Sequence, residues 1–410
     1  MILAVGLNPS YQKSLVFDEF VKDAVNRAKS LTVSPGGKGV HFLKASTTLG
    51  LEVPVVLAQF VGGHTGEYIR TSTESMKPIL HDRTLTDNHI QVETRSHTRT
   101  CTTLLCTKTG TMTEVIEPAG EVSTTEFEEM SKRVHAVLAS CSMIAYCGTV
   151  PPGTHATFFS SLATSPSRKP FPECAVLLDG YKDVDALLQT RRVDILKINL
   201  TELAHLTQLK LDGNADVGEA SSSADGTAAG LFPSPLTRAV DVCCCRYGLR
   251  FVALTDGPRR AYLFENLQPD SVSPSDCVAH DGESKRSGSG SRRYRKITYG
   301  LPKIKAVNPI GAGDTAAAVT SALFVQGVRR GHDPSTVIVA AFQSGLAAAS
   351  ASCLYMEGAR FDVSTMDSFV KQTSTSEALV VVDDAASDPH NNRLDNRHRT
   401  RTKEVQVKLV

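Results

Sequence analysis

The sequence predicts an α/β protein in which a mainly parallel sheet carries helices on both faces and a small separate sheet. Short apolar runs (Ile2–Leu7, Val53–Phe60, Met143–Tyr146, Ala175–Asp179, Ile195–Ile198 and Phe251–Thr255) alternate with helical patterns, as doubly buried parallel strands do. Glycine-rich turns join a strand to a helix at Ser34-Pro-Gly-Gly-Lys-Gly39 and at Asn308-Pro-Ile-Gly-Ala-Gly-Asp-Thr315. Residues 98–106 and 113–116 instead alternate polar with apolar, the mark of a sheet with one solvated face. With the short segments 14–17 and 28–33 they make the second sheet.

At 410 residues the chain buries a large core, as one domain with appendages or as two domains. Its 44 basic and 43 acidic side chains nearly cancel, which argues against nucleic acid or an anionic membrane as a partner. No apolar run reaches the roughly 20 residues of a bilayer span. Met1 leads straight into an apolar strand with no basic leader. The ten cysteines form no Cys-x-x-Cys pair, so reduced thiols in a cytoplasmic protein are expected.

In chain order, Asn8-Pro9-Ser10 ends the first strand and sets polar groups at its carboxyl edge, where α/β proteins bind ligands. The turn at 34–39 opens a helix over 40–49 that Gly50 closes. Its glycines and Lys38 favour an anion, although the pattern is not a Walker A loop. Gly62, Gly63 and Gly66 mark a loop before the next helix. Lys108-Thr-Gly110 reads as a hairpin turn. The strand at 143–146 runs into Gly148-Thr-Val-Pro-Pro-Gly153. Asn199-Leu-Thr-Glu202 then has the form of a helix capping box. Gly213–Gly230 is rich in Ser, Ala, Gly and Asp and reads as a disordered insertion. Gln268–Arg295, with Lys285, Arg286, Arg292, Arg293 and Arg295, reads as a solvated hairpin extension. From about Thr373 the chain reads as a flexible terminus.

The turn at 307–315 carries the chemistry. Gly311 and Gly313 expose successive amides at a helix N-terminus, which is an anion site. Asp314 would only repel a bound phosphate unless its task is to take a proton from an approaching nucleophile. That combination implies phosphoryl transfer to a hydroxyl. The plain alternative is that Asp314 caps the helix.

Together these residues resemble the PfkB family of carbohydrate kinases, which has a ribokinase-like fold. Pro35-Gly-Gly-Lys-Gly39, Gly148-Thr-Val-Pro-Pro-Gly153, Asn199-Leu-Thr-Glu202 and Asn308–Thr315 stand in the family's order and approximate spacing. Ile2–Pro9, Asn26-Arg27 and Thr98-Arg99 are most similar to its phosphosugar branch, which contains 1-phosphofructokinase and tagatose-6-phosphate kinase. The resemblance implies a kinase domain over residues 1–372 and a tail over 373–410. Within the domain it implies lid strands inside about 10–35 and 88–117, and insertions at about 212–236 and 268–295.

It also implies roles. Asp314 would be the base, with the backbone of Gly311, Ala312 and Gly313 stabilising the transferring phosphoryl group. Asn199 and Glu202 would organise the Mg²⁺ of MgATP, Glu202 through water. Gly36, Gly37, Lys38 and Gly39 would hold the sugar, with Asn8, Thr149 and the positions of Gln12 and His41. Arg27 and Arg99 would pair with the sugar's existing phosphate, a bidentate task that suits arginine. Thr255, Gly257, Asn308 and residues 341–348, including Gly345, would serve the nucleotide. A homodimer through the lid sheet is left open.

Three positions leave the family pattern. Gln12 stands where an Asp normally holds sugar hydroxyls, His41 where an Asn is usual, and Arg260 where a glycine is usual. The first two bear on which sugar is bound, and Arg260 on the ATP side. A kinase of an unphosphorylated sugar or a nucleoside is the nearest rival, and Arg27 and Arg99 oppose it. A sugar or nucleotide sensor with weak catalysis is a further rival, opposed by the intact Gly-Ala-Gly-Asp and Asn-Leu-Thr-Glu.

Overall fold

The computed structural model describes residues 1–50, 53–76, 89–211, 233–268 and 291–383. Strand β1 (Ile2–Val5) leaves the core at Asn8 and continues as β2 (Ser10–Phe17). β3 (Ser30–Gly36) returns and runs into helix α1 (Lys38–Thr48), followed by β4 (Val55–Val61) and α2 (Gly63–Glu74). Next come β5 (Ile90–Glu93), β6 (Thr100–Cys106), β7 (Thr111–Ile116) and α3 (Thr124–Val137). β8 (Met143–Cys147), α4 (Phe158–Thr164), β9 (Ala175–Asp179), α5 (Asp185–Leu188), β10 (Ile195–Asn199) and α6 (Leu200–Thr207) continue the alternation. The chain closes with α7 (Pro235–Tyr247), β11 (Phe251–Asp256), β12 (Arg260–Asn266), β13 (Ser291–Gly300), α8 (Ala312–Arg329), α9 (Pro334–Ser352), α10 (Val363–Gln372) and β14 (Ser374–Asp383).

The large sheet has the order β14-β13-β12-β11-β10-β9-β8-β1-β4-β5. It is parallel from β11 to β5 and antiparallel from β11 to β14. Leu3 and Val5 of β1 enter the core on one face, while Ile2 and Ala4 enter the core on the other. That is why the strand reads as an unbroken apolar run. On one face α8 and α9 pack closely through small residues: a Cβ on Gly345 would lie 2.7 Å from the Ala316 carbonyl oxygen. α9 is 19 residues with a mean hydropathy of 1.2, long and apolar enough to cross a membrane, yet half of it is buried within the protein.

The second sheet, with the order β3-β2-β6-β7, forms from the segments expected to make it. Tyr11 on one face meets Tyr68 of α2 at 5.0 Å between ring centroids. Ser10, Gln12, Ser14, Ser34 and Thr103 are buried polar residues that share the other face. Leu31, Val115 and Ile116 are exposed apolar residues of this sheet.

Several expectations need correction. β5 falls inside the stretch assigned to the lid but pairs with β4 in the large sheet. Residues 374–383 are not a free tail: β14 pairs with β13 along its length and Val382 is buried. α7 begins inside the first proposed insertion, because Ser234 caps it and Pro235 occupies a first-turn position that needs no N–H. Arg292 and Arg295 belong to β13 and are not simply solvated. Arg292 meets Asp241 at 2.7 Å, and Arg295 meets Glu377 at 2.9 Å. Gly213–Gly230, Lys285 and Arg286 lie outside the described residues.

Candidate active site

Helix α8 is preceded by its N-cap residue Gly311, whose φ of 78° is the left-handed geometry glycine tolerates. Asp314 is the third residue of the helix, and no side chain caps this terminus. The capping reading of Asp314 therefore fails. Its Oδ2 instead lies 2.8 Å from Nδ1 of His41 on α1. Among the described residues the amides of Gly313 and Asp314 carry no hydrogen bond, the orphan donors that an anion satisfies.

Lys38, the first residue of α1, runs past Gly148 and donates from Nζ to Asp179 Oδ1 at 2.8 Å. Lys197 of β10 reaches the same oxygen at 3.5 Å, and a Cβ on Gly313 would come within 2.9 Å of its ammonium. Asp179 thus holds both lysines, whose charges also act on Asp314. Burial opposes the charge on Asp314. The hydrogen bond and charge of His41, then the charges of Lys38 and Lys197, outweigh it and hold the carboxyl down at about 2. Burial likewise opposes the charge on Lys38, but Asp179, then Asp314 and Glu202, hold the ammonium well above the ordinary lysine range. Glu114 of β7 is pushed up by burial of its carboxyl and by the negative charge of Asp314.

These groups wall a cleft of about 410 Å³ lined by Lys38, Lys197, Glu202, Thr255, Gly313 and Asp314, together with Asn199 and Gly257. It opens at the carboxyl ends of β10 and β11, the expected place for a ligand in a parallel sheet. Asn199 and Glu202 form the expected capping box: Oδ1 of Asn199 accepts from the Glu202 amide, and Oε2 of Glu202 from the Asn199 amide.

The chain matches the model of the pfkB family carbohydrate kinases over residues 7–229. The chain belongs to the pfkB family of carbohydrate kinases. A tagatose-6-phosphate kinase of Staphylococcus epidermidis is 22% identical over 329 residues, covering 80% of this chain and 86% of the relative. Escherichia coli phosphofructokinase-2 in complex with substrates and products superposes with a TM-score of 0.64 at 16% identity, over 90% of this chain and 98% of that one. A possible 1-phosphofructokinase of Thermotoga maritima gives 0.60 at 17% identity, over 92% and 99%. The ribokinase-like fold expected from the sequence is therefore present.

In this sugar kinase the remaining candidate residues sort by place. Asn8 Nδ2 donates to Thr149 Oγ1 at 3.2 Å, joining the end of β1 to the loop after β8. Gly37, with φ 97°, lies where a Cβ would come 2.8 Å from Pro9 Cα. Gly39 faces Gly6, and a Cβ on it would lie 2.6 Å from the Gly6 Cα. Helix α1 and the end of β1 therefore touch through backbone. Gly36 crosses β2 close to Gln12. Gln12 spends its amide on Thr103 Oγ1 at 2.7 Å. Arg99 Nη2 donates to the Asn8 carbonyl at 3.3 Å, and its buried Nε has no partner. Arg27 is exposed on the β2–β3 loop, whose conformation Asn26 fixes by bonding both the amide and the carbonyl of Val21.

Two nucleotide candidates, Asn308 and Gly345, are not among the residues lining this cleft, and both make scaffold contacts. Asn308 donates to the Met356 carbonyl at 2.7 Å and accepts from the Ile310 amide at 3.0 Å, so its side chain braces the glycine turn. Gly345 lets α9 approach α8. Asp179 and Lys197 were not singled out from the sequence. The only local signal for either was a charged residue in a strand otherwise apolar.

Proposed function

We propose that this kinase transfers the terminal phosphoryl group of ATP to a hydroxyl of a phosphorylated ketose, with Asp314 as the base. The observation that carries this reading is Asp314 itself. An ionised, nearly buried carboxylate lies in the cleft beside two unbonded helix-terminal amides and within the field of Lys38 and Lys197. The acceptor O–H would give its proton to Asp314 as its oxygen bonds phosphorus, and ADP would leave with the electrons of the old P–O bond. The amides and the lysines would meet the charge on the phosphoryl oxygens.

Glu202 fits a role toward Mg²⁺, since it lines the cleft and only Oε2 is used in the capping box. Asn199 and Glu202 would hold the ion through water, and the ion would neutralise charge on the nucleotide phosphates. Arg99 favours a phosphosugar, because its guanidinium beside Asn8 retains unused donors. The names of the relatives, tagatose-6-phosphate kinase and phosphofructokinase-2, support the same class. Closure of the small sheet over the sugar would keep water from the phosphoryl group. A homodimer through that sheet, where Leu31, Val115 and Ile116 are exposed, belongs to the proposal, as does a cytoplasmic location.

The test is ADP release across a panel of ketose and aldose phosphates and their unphosphorylated parents. The reading expects turnover of at least one ketose phosphate, a far poorer rate with the free sugar, and a loss of roughly 10²- to 10⁴-fold in Asp314→Asn. Equal turnover of a free sugar sinks the phosphosugar assignment, and an active Asp314→Asn sinks the base.

A further inference from the structure

We propose that His41 is a positioning residue for Asp314: its Nδ1–H holds one carboxylate oxygen so that the other is presented to the acceptor hydroxyl. This rests on the reading of Asp314 as the base.

The imidazole has little freedom. His41 is buried on α1, and its backbone amide bonds the Gly37 carbonyl at 3.0 Å. The ring is slotted between two glycines. A Cβ on Gly311 would lie 3.0 Å from Nδ1, and a Cβ on Gly358 would lie 3.0 Å from Nε2. The Gly358 side of the slot is held by the same helix, because Lys44 donates to the Gly358 carbonyl at 3.1 Å and pairs with Glu357. Nδ1 then meets Asp314 Oδ2 at 2.8 Å, a good charge-assisted distance.

The consequence is steric and electrostatic. A carboxylate bonded through Oδ2 cannot rotate freely, so Oδ1 is the oxygen left for the proton of the acceptor hydroxyl. That proton ends on Oδ1, and His41 keeps its own. The charges acting on Asp314 are those of His41 and Lys38 on α1, Lys197 on β10 and Glu114 on β7. Asp179 on β9 anchors both lysines, and Glu202 on α6 acts on Lys38. Glu357 beside the ring is already paired with Lys44. Removing His41 leaves only the lysines to oppose burial of the carboxylate. Asp314 then protonates at higher pH, and the acid limb of the rate profile moves up.

The experiment compares wild type, His41→Asn, His41→Gln and Asp314→Asn, with thermal melts to confirm folding. The expected result for the His41 variants is a fall in kcat of roughly tenfold, less than the loss of the base itself, with an unchanged KM for ATP. The acid limb of kcat should rise by about one pH unit, the effect of losing one close charge-assisted partner. In parallel, the ¹⁵N imidazole resonance that disappears in His41→Asn should change its chemical shift in Asp314→Asn, since its 2.8 Å partner is altered. An acid limb unmoved in both folded His41 variants overturns the positioning role, and so does an imidazole resonance left in place by Asp314→Asn. If wild type turns over no sugar while the imidazole responds to Asp314→Asn, the pairing stands but the catalytic reading of both residues falls. The two failures are therefore separable.

Discussion

Lys38 and Asp179, 141 positions apart in the chain, share a hydrogen bond of 2.8 Å, and that contact ties helix α1 to the end of β9. Lys197 leans on the same Asp179 oxygen. One buried carboxylate therefore restrains both cations that flank Asp314. Removing it leaves the two ammonium groups facing each other. Asp179→Ala is expected to cost about 1–3 kcal/mol in urea unfolding, since Lys197 is buried but the Lys38 side chain is partly exposed and Asp314 remains as a counter-charge. Asp179→Asn, which keeps the volume and one acceptor, should cost less.

Glycines in this kinase are not equivalent. A Cβ on Gly39 would lie 2.6 Å from the backbone of Gly6 and 2.9 Å from Leu57 Cδ1, so strand and helix would have to separate. Gly257 has φ 52° but nothing within 4 Å of the added carbon. Gly257→Ala should cost only the left-handed backbone penalty, about 1–2 kcal/mol. Gly39→Ala should cost more than that and lower kcat, since its strain enters the floor of the site. Denaturant midpoints at constant m-value would check the ranking.

Much of this was legible locally, and the exceptions have a common cause. Asp314, the glycine turns, the lid strands and the capping box at 199–202 each have a pattern within a few residues. Asp179 and Lys197 have none, because their meaning arises when α1, β9 and β10 converge. The strand at 374–383 was missed although Leu379–Val382 is a strong β-forming run, because the Asp-, Asn- and Arg-rich sequence beyond it dominated the composition. Asn308 belongs to a recognisable motif, yet its side chain braces the turn, a distinction that spacing does not carry.

Two carboxylates set opposite pH dependences of stability. Against burial, His41, then Lys38 and Lys197, hold the folded Asp314 carboxyl below the ordinary unfolded value of about 3.9. Its contribution is present above the unfolded value and is lost as pH falls toward the lower folded one. Asp194 is pushed up to about 6, first by burial, although it accepts the Val176 amide. It binds more protons folded than unfolded, so it lowers stability as pH rises from about 4 to 6. Asp194→Asn should flatten that upper slope in pH-resolved urea melts, while Asp314→Asn should flatten the lower one.

Ending the chain at Thr373 removes β14, the partner of β13 along its whole length, and the Glu377 carboxylate that meets Arg295. The unpaired edge of β13 should lower the melting temperature and promote association of chains. A chain ending at Asp383 keeps the strand and serves as the control. Equal melting temperatures for the two would show that β14 adds nothing to the fold.

The strand order has a practical consequence. β14 and β5 form opposite edges of a ten-stranded sheet. At ~4.8 Å between neighbouring strands those edges stand roughly 43 Å apart. The small sheet departs from the β1 and β5 side, so a probe or surface attachment on the exposed Leu379 or Val381 of β14 sits far from that sheet. A dye there and a second one on Thr109 in the β6–β7 turn would form a pair whose separation reports the position of that sheet in single molecules.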